Sequence, residues 1–290
     1  MRSSTTLPAA AAAIRARPRL ARLGNRAVHY LALAAIALIT VYPFWWTLVT
    51  ALSGDGEVFA FPPPLLPTAP TLANFREAVS SIDILAFYRN SLAITALTVA
   101  GTLLVSALAA YPLARMQFPG RRLVFGAILA TLILPSEVNF LVNFITVSKL
   151  HLTDSYGGVV LPTLAGAVGI FLMKQAFEAV PQDLIDAARV DGAGEWQIFW
   201  KIMLPLSRPA LAALTILTTV SAWNQYIWPS IVMSSPEKFP LSVGVLYLAG
   251  AFSFKTRVVA AGAVLTVLPI LIVFLFTQRY FLRGFDGAVK

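Results

Sequence analysis

Residues 27–54 read AVHYLALAAIALITVYPFWWTLVTALSG and contain no charged side chain. A helix rises about 1.5 Å per residue, so a stretch of this length can cross roughly 30 Å of hydrocarbon. Four further uncharged stretches are also long enough: they lie between Arg89 and Arg115, Asp154 and Lys174, Arg208 and Glu237, and Arg257 and Arg279. The pattern predicts a helical membrane protein.

A sixth stretch is shorter, because the uncharged residues that follow Arg122 are interrupted by Glu137. A charged side chain at the centre of a bilayer costs roughly 2.5 to 3.5 kcal/mol, so this stretch spans only if Glu137 lies near its outer end. The predicted fold class is all-α, a polytopic membrane protein with six transmembrane helices. These helices are expected at about 27–50, 90–112, 123–143, 156–174, 206–229 and 258–279.

The composition argues against a water-soluble enzyme. Hydrophobic residues make up 58% of the 290 positions and charged residues only 12%, whereas soluble domains carry about 25% charged residues. The chain has no cysteine, so it can form neither a disulfide nor a cysteine metal site. Its two histidines, His29 and His151, are expected at opposite faces of the membrane. We therefore expect neither a metal centre nor a catalytic residue.

The basic residues are distributed unequally between the two sides that an even number of spans creates. One side collects 16 of the 22 lysines and arginines, whereas the other holds six of them together with seven acidic residues. The 16 are Arg2, Arg15, Arg17, Arg19, Arg22, Arg26, Arg115, Arg121, Arg122, Lys174, Arg189, Lys201, Arg208, Arg279, Arg283 and Lys290. Because cytoplasmic loops are enriched in Lys and Arg, both termini are expected in the cytoplasm, and the net charge of +9 requires no nucleic-acid partner.

Residues 1–26 are rich in alanine and arginine and are expected to form a disordered, basic cytoplasmic arm that can also lie on anionic lipid. The uncharged stretch after this arm is much longer than the 7 to 15 residues typical of the apolar core of a signal peptide. We therefore expect it to be retained as the first span of a permease domain covering 27–290.

The longest internal loop on the cytoplasmic side reads KQAFEAVPQDLIDAARVDGAGEWQIFWKIMLPLSRP over 174–209. Pro181 suits the start of a helix, and Gly192 can end one. The loop therefore predicts two short helices, at about 182–190 and 195–203. The second, with Trp196, Phe199 and Trp200, could simply lie among lipid headgroups. The alanines and acids of the first are better suited to docking on another protein.

Three groups of residues in this loop form a recognisable pattern. They are Asp186, Ala187 and Ala188, then Asp191, Gly192 and Ala193, and finally Ile202, Leu204 and Pro205. The pattern resembles the cytoplasmic signature of permease subunits in bacterial ATP-binding-cassette importers, in which Glu usually stands at the position of Asp186. Residues 118–125, 134–162, 221–229 and 278–290 resemble the carbohydrate-uptake branch, specifically the second permease of the maltose and glycerol-phosphate type.

The resemblance implies the fold of a type I importer permease located in the bacterial cytoplasmic (inner) membrane. In that family a coupling loop, here 178–205, docks into a cleft on a cytoplasmic ATPase. Contact with the ATPase would fall on the first two groups of signature residues, and the third group would orient the next span. The implied partners are a second permease subunit, two ATPase subunits and an extracytoplasmic solute-binding protein. The chain lacks the G-x-x-x-x-G-K-[ST] phosphate loop, so ATP and Mg²⁺ are expected on the ATPase and no cofactor on this chain.

A path for hydroxyl-rich solutes requires hydrogen-bonding groups together with aromatic rings on which a sugar can stack. The candidates in the fifth predicted span are Trp223, Asn224, Tyr226 and Trp228, which could equally be interfacial anchors. Gln225, between them, stands where that branch often has an acid. Further candidates are Glu137, Asn139 and Asn143; an intramembrane acid is a functional candidate by default, although one near the interface can simply be solvated.

The alternative functions are an ion-coupled secondary transporter and a channel for small polar solutes. Ion coupling requires ionisable residues within several spans, and Glu137 alone meets this condition. A passive channel would leave the cytoplasmic helix pair without a role. The sequence therefore favours a non-catalytic subunit of an ATP-driven importer, and it leaves open whether the solute is a monosaccharide, an oligosaccharide, a polyol or glycerol phosphate.

Overall fold

The computed structural model describes residues 9–54, 56, 58–251 and 255–286. The described residues form helices and no strand, with one isolated bridge between Ser53 and Pro70, so the all-α prediction is confirmed. The first seven helices are α1 (Ala9–Leu52), α2 (Ala73–Ser81), α3 (Ile84–Arg115), α4 (Arg121–Ala130), α5 (Phe140–Lys149), α6 (Tyr156–Val160) and α7 (Ala167–Glu178). The others are α8 (Gln182–Val190), α9 (Glu195–Ile198), α10 (Leu204–Leu206), α11 (Arg208–Asn224), α12 (Ile227–Val232), α13 (Leu241–Ala251) and α14 (Thr256–Asp286).

Helix α1 is longer than the first predicted span. It begins at Ala9, so the expectation of a disordered arm differs from the structure over residues 9–26, whereas residues 1–8 lie outside the described part. Alanine has the highest intrinsic helix propensity. A segment that extends an existing span also needs no new helix nucleus, which is the costly step of helix formation. The alanine-rich arm therefore continues the helix of the span.

Two described helices are single segments long and apolar enough to cross a membrane: residues Val28–Leu52 of α1, and α3. Three pairs of helices joined at a bend would also be long and apolar enough if each pair were counted as one span. The pairs are Arg121–Ile133 with Glu137–Lys149 at 98°, Tyr156–Thr163 with Ala167–Glu178 at 51°, and Glu195–Leu206 with Arg208–Asn224 at 75°. With each pair counted as one span, the described residues provide up to five, so six spans remain a prediction.

The bends occur where proline or glycine interrupts the helical hydrogen bonds. Proline lacks an N–H group and disfavours helical geometry in the residue before it, and Pro135 follows the extended Leu134 in the first pair. Gly166 is extended before α7, and the third bend lies at Ser207, between Pro205 of α10 and Pro209 of α11. The chain is therefore bent or broken within the spans expected at about 123–143 and 156–174, and α11 covers residues 208–224 of the span expected at about 206–229. The bounds of these spans stay a prediction.

Helix α3 is the central element of the fold, and it packs against α7, α11 and α13. Its buried face carries small hydroxyl and amide side chains: Asn90, Ser91, Thr95, Thr98, Thr102 and Ser106. Small residues allow membrane helices to approach closely. A Cβ atom placed on Gly169 of α7 would lie only 2.4 Å from Ser106 Oγ, which shows how close α3 and α7 are.

The end of the bundle where α3 begins is held by a polar cluster. Asn90 donates from Nδ2 to the carbonyl oxygens of Glu237 and Phe239 at 2.8 and 3.0 Å, and the Tyr156 hydroxyl donates to Asn90 Oδ1 at 2.6 Å. Nearby, Lys238 Nζ lies 2.7 Å from an oxygen of Asp154, and this hydrogen bond holds the pKa of that carboxyl well below its usual range. These contacts tie residues 154–156 and 237–239 to the start of α3 and to each other.

Candidate functional site

Helix α8 begins and ends where the sequence predicts. Its last turn is closed by two hydrogen bonds, from Gly192 N–H to the carbonyl of Arg189 at 3.0 Å and from Ala193 N–H to the carbonyl of Ala188 at 2.9 Å. This pair of bonds is a Schellman motif, which requires a left-handed residue just after the helix. Gly192 has a φ of +83°, a conformation that glycine adopts without strain. The glycine of the signature therefore has a structural role.

One side of α8 packs on the protein and the other is exposed. Ile185 is fully buried, in an apolar cluster with Phe177, Phe199 and Met203, and Ala188 and Ala193 pack against the same cluster. On the opposite side Leu184 is 47% exposed and Val190 88% exposed. Positions three residues apart lie on one helix face, so Leu184, Ala187 and Val190 form one exposed surface, which we call the α8 face.

The residues that the resemblance implies for ATPase contact differ in their exposure. Asp186, Ala187, Asp191 and Gly192 are exposed, whereas Ala188 and Ala193 turn towards the cluster around Ile185. Ile202, Leu204 and Pro205 are half-buried, and Ile202 lies in a five-residue π-helix, Phe199–Met203. Ala187, not Ala188, is thus the alanine available to a partner.

Arg115, the last residue of α3, binds the segment that leads into α8. One terminal nitrogen of its guanidinium donates to the carbonyl oxygens of Phe177 and Val180, and the other donates to Gln182 Oε1 at 2.9 Å. These carbonyls lie at the C-terminal end of α7, where a helix presents unpaired acceptors and favours a positive charge. Arg115 therefore caps α7 and holds the first residue of α8.

Tyr111, one turn earlier on α3, binds the segment that follows α8. Its hydroxyl donates to Glu195 Oε2 at 2.5 Å, and its ring packs against Phe199 with centroids 5.3 Å apart. The other carboxylate oxygen of Glu195 accepts from Arg189 at 2.9 Å. The hydrogen bond from Tyr111 and the neighbouring Arg189 hold the pKa of Glu195 below its usual range. Glu195 is therefore ionised at neutral pH and links α3 to α8.

Two of the three aromatic candidates for the solute path are buried in the described structure. Trp223 and Trp228 are buried, and their indole N–H groups donate to the carbonyls of Thr266 and Val159, both at 3.2 Å. Asn224 is exposed and its side chain bonds to the carbonyl of Val220 in its own helix at 2.9 Å, while Tyr226 is 46% exposed. Satisfied indole groups in an apolar core favour packing over solute contact.

The acidic and amide candidates lie elsewhere, at the bend between α4 and α5. Glu137 and Asn139 are exposed in the short 3-10 helix Ser136–Asn139, and Asn143 is half-buried in α5. Phe140, which lies beside Asn139, stacks on Trp228 of the fifth predicted span with ring centroids 5.9 Å apart.

A groove of about 300 Å³ lies between α3, α7 and α11, and the sequence analysis did not single it out. We call it the polar groove because half of its lining residues carry a hydroxyl or amide group, although most of its accessible lining is apolar. Its lining is Thr98, Thr102, Thr163, Gly166, Val168, Gly169, Leu214, Leu217, Thr218, Ser221, Ala222 and Gln225. None of these described lining residues is one of the seven predicted path residues. The sequence did contain a pattern that could have predicted this groove. Hydroxyl side chains recur three to four residues apart on α3 and α11, and Gln225 follows α11.

A bundle of apolar helices that carries a short exposed helix between two of its segments is the architecture expected of a transport-system membrane subunit. Residues 102–286 match the family described as "Binding-protein-dependent transport system inner membrane component". The chain belongs to this family, which confirms the predicted importer permease and its place in the bacterial inner membrane.

Individual relatives extend this result over almost the whole chain. The arabinooligosaccharides transport system permease protein AraQ of Halalkalibacterium halodurans is 36% identical over 265 residues, covering 89% of this chain and 94% of the relative. The sn-glycerol-3-phosphate transport system permease protein UgpE of Yersinia pestis bv. Antiqua is 34% identical over 270 residues, covering 90% and 96%. A solved bacterial ABC transporter involved in alginate import superposes with a TM-score of 0.77 at 28% identity, covering 91% of this chain and 98% of its own.

Proposed function

We propose that this permease forms one half of the solute path of an ATP-driven importer and that α8 couples it to a separate ATPase subunit. The observation that carries this proposal is the α8 face, where Leu184 and Val190 leave apolar surface exposed on a helix expected outside the membrane. An exposed apolar surface bordered by polar residues is typical of a protein interface. The adjoining acidic residues disfavour burial in anionic lipid headgroups, so an ATPase cleft fits better than lipid.

An importer of this kind requires further partners besides the ATPase. A second permease subunit completes the path, and a solute-binding protein delivers solute from the side on which α3 begins. Both termini, and α8 with them, lie in the cytoplasm, as the distribution of Lys and Arg predicts. The ATPase subunits supply ATP binding and hydrolysis, and this chain supplies no catalytic group.

The solute path runs through the polar groove, and its lining indicates a neutral, hydroxyl-rich solute. The named relatives include transport systems for arabinooligosaccharides and for sn-glycerol 3-phosphate. A phosphate or carboxylate group is held best by Arg or Lys, and the described lining of the groove contains neither. Threonine and serine hydroxyls with one amide suit an uncharged oligosaccharide.

The rival ion-coupled mechanism finds little support. Glu137, the single acid within the predicted spans, is exposed at a bend and does not line the groove. The described lining of the groove includes no ionisable side chain, whereas coupling to ions or protons requires such groups along the path.

The ATPase contact is tested by substituting the exposed alanine of the α8 face. Ala187→Trp places a large side chain in the proposed interface without filling the buried cluster, so the chain is expected to insert normally. We expect the ATPase that co-purifies with the tagged permease to fall at least about tenfold, which corresponds to 1.4 kcal/mol of lost association energy. Solute uptake should fall with it.

The matched control is Gln117→Trp, which adds the same side chain at an exposed position on the turn between α3 and α4. This variant should retain both ATPase and uptake. Normal co-purification and uptake with Ala187→Trp would contradict the proposed docking role of α8.

A further inference from the structure

Helix α8 is attached to α3 at two separate points. Arg115 holds Gln182, where α8 begins, and Tyr111 holds Glu195, which lies just beyond the end of α8 and is also paired with Arg189 in its last turn. A single attachment would leave α8 free to rotate about the contact. Two directional attachments, one at each end, fix its orientation relative to α3.

The apolar contacts between α3 and the loop do not by themselves give this directionality. The Tyr111 ring packs edge-on against Phe177 and Phe199, with centroids 6.2 and 5.3 Å away, and Ile185 fills the space below α8. Apolar burial is roughly proportional to area and tolerates sliding. The hydrogen bonds of Tyr111 and Arg115 are lost after small displacements, because they weaken steeply with distance and angle.

Helix α3 also lines the polar groove. Thr98 and Thr102 of α3 face the groove, and Tyr111 follows Thr102 nine residues later, about 14 Å along the helix axis at 1.5 Å per residue. The structure assigns α3 as one continuous helix from Ile84 to Arg115. A displacement of its cytoplasmic end is therefore carried to the residues of the groove.

We propose that Tyr111 and Arg115 are positioning residues that make α8 and α3 move as one body. Movement of α8 on the ATPase then changes the groove, and loss of either attachment uncouples ATP hydrolysis from solute movement. This inference rests on the proposed contact between α8 and an ATPase. It assigns to the two α3 side chains a role in energy transfer in addition to their role in packing.

The test uses the complete transporter, with its ATPase and second permease, reconstituted in liposomes and supplied with its solute-binding protein. Tyr111→Phe removes one hydroxyl and keeps the ring contacts. We expect normal ATPase co-purification and a melting temperature like that of the control, but about tenfold less solute imported per ATP hydrolysed, the loss expected for a hydrogen bond to a charged group. Glu195→Gln in the Tyr111→Phe background should lower this ratio little further, because the bond is already absent.

The matched control is Tyr88→Phe, which removes another α3 hydroxyl, one that donates to the carbonyl of Leu265 near the opposite end of the helix. This control should keep the wild-type ratio of import to hydrolysis. Arg115→Lys should keep more of that ratio than Arg115→Gln, because lysine still donates to the carbonyls that end α7.

Two results would overturn the inference: an unchanged ratio in Tyr111→Phe, or an equal fall in Tyr111→Phe and Tyr88→Phe, which would indicate a general packing defect. If the ATPase fails to associate with the unaltered permease, the proposed function itself is wrong. Failure of the inference is distinguishable from that outcome, because it leaves association intact.

Discussion

The hydroxyl of Thr102 is buried in the centre of the bundle and has no hydrogen-bond partner among the described residues. A buried hydroxyl without a partner costs roughly 1 to 3 kcal/mol. Thr102 lies in the wall of the polar groove, and Thr218 and Ser221 of α11 line the same groove and are less buried. At the scale of single residues, the hydroxyls of Thr218 and Ser221 are the best candidates for solute contact.

Thr218→Val is expected to weaken the binding of solute in the groove, because it replaces a hydroxyl in the lining by a methyl group of similar size. For a neutral oligosaccharide we expect KM for uptake to rise about three- to tenfold, as for one lost neutral hydrogen bond. The measurement is the initial uptake rate in the reconstituted transporter, with glycerol 3-phosphate as the competing solute.

Thr219→Val is the matched control, because Thr219 lies next in sequence but faces the α14 side, and its hydroxyl donates to the carbonyl of Thr215 in its own helix. This variant should leave KM unchanged. Equal effects of the two substitutions, or preferential uptake of glycerol 3-phosphate, would argue against the groove as the path for a neutral solute.

The sequence could not separate packing from path residues in α11 and α12. Trp223 and Trp228 suit a sugar-binding surface by chemistry, yet whether an indole faces a cavity or a core depends on how helices distant in sequence pack. Trp228 stacks on Phe140, with centroids 5.9 Å apart, and no local pattern in the sequence reveals that contact. Gly192 was predictable, because the need for a left-handed residue after a helix is local.

Among the elements, α8 depends on its C-terminal cap. Gly192→Ala should loosen the end of α8, because a left-handed non-glycine residue costs roughly 1 to 2 kcal/mol. A Cβ atom there would meet no heavy atom within 4 Å, so the effect is conformational and not steric. We expect about tenfold faster amide hydrogen exchange at Ala193 and in the last turn of α8, measured by mass spectrometry.

Gly192→Asn tests whether the effect of Gly192→Ala comes from the left-handed backbone conformation. Asparagine tolerates that conformation better than alanine does, although it also replaces the glycine. Its exchange rates should lie closer to those of the unaltered protein, and ATPase association should follow the same order. Equal protection in the alanine and asparagine variants would show that the Schellman motif does not stabilise α8.

The same local reasoning explains which elements were predictable. Pro181 and Gly192 define α8, and its bounds follow directly from them. The spans were located from their uncharged length, a property that does not reveal bends. Pro135 was visible as a helix breaker, but the 98° angle there depends on how α4 and α5 pack against the rest of the bundle.

At the scale of the whole molecule, the structure separates two polar ends. Arg115, Lys174 and Arg189 lie with the coupling loop at one end, where Lys174 pairs with Glu178 at 2.6 Å. Asp154 and Lys238 lie at the end where α3 begins. This separation agrees with the division of charges in the sequence, and the excess of Lys and Arg predicts that the coupling loop lies in the cytoplasm.

The orientation can be tested directly because the natural chain contains no cysteine. Gln117→Cys introduces a single thiol at the exposed turn between α3 and α4. Leu66→Cys introduces one in the segment between α1 and α2, which is expected outside the cell and in which Leu66 is 70% exposed. A membrane-impermeant maleimide should label the Leu66→Cys protein in intact cells. It should label the Gln117→Cys protein only after the membrane is permeabilised, and each variant must retain uptake for its labelling to report the native topology. Labelling of Gln117→Cys in intact cells would place the coupling loop outside, where no cytoplasmic ATPase could reach α8, and would refute the proposed orientation together with the coupling that depends on it.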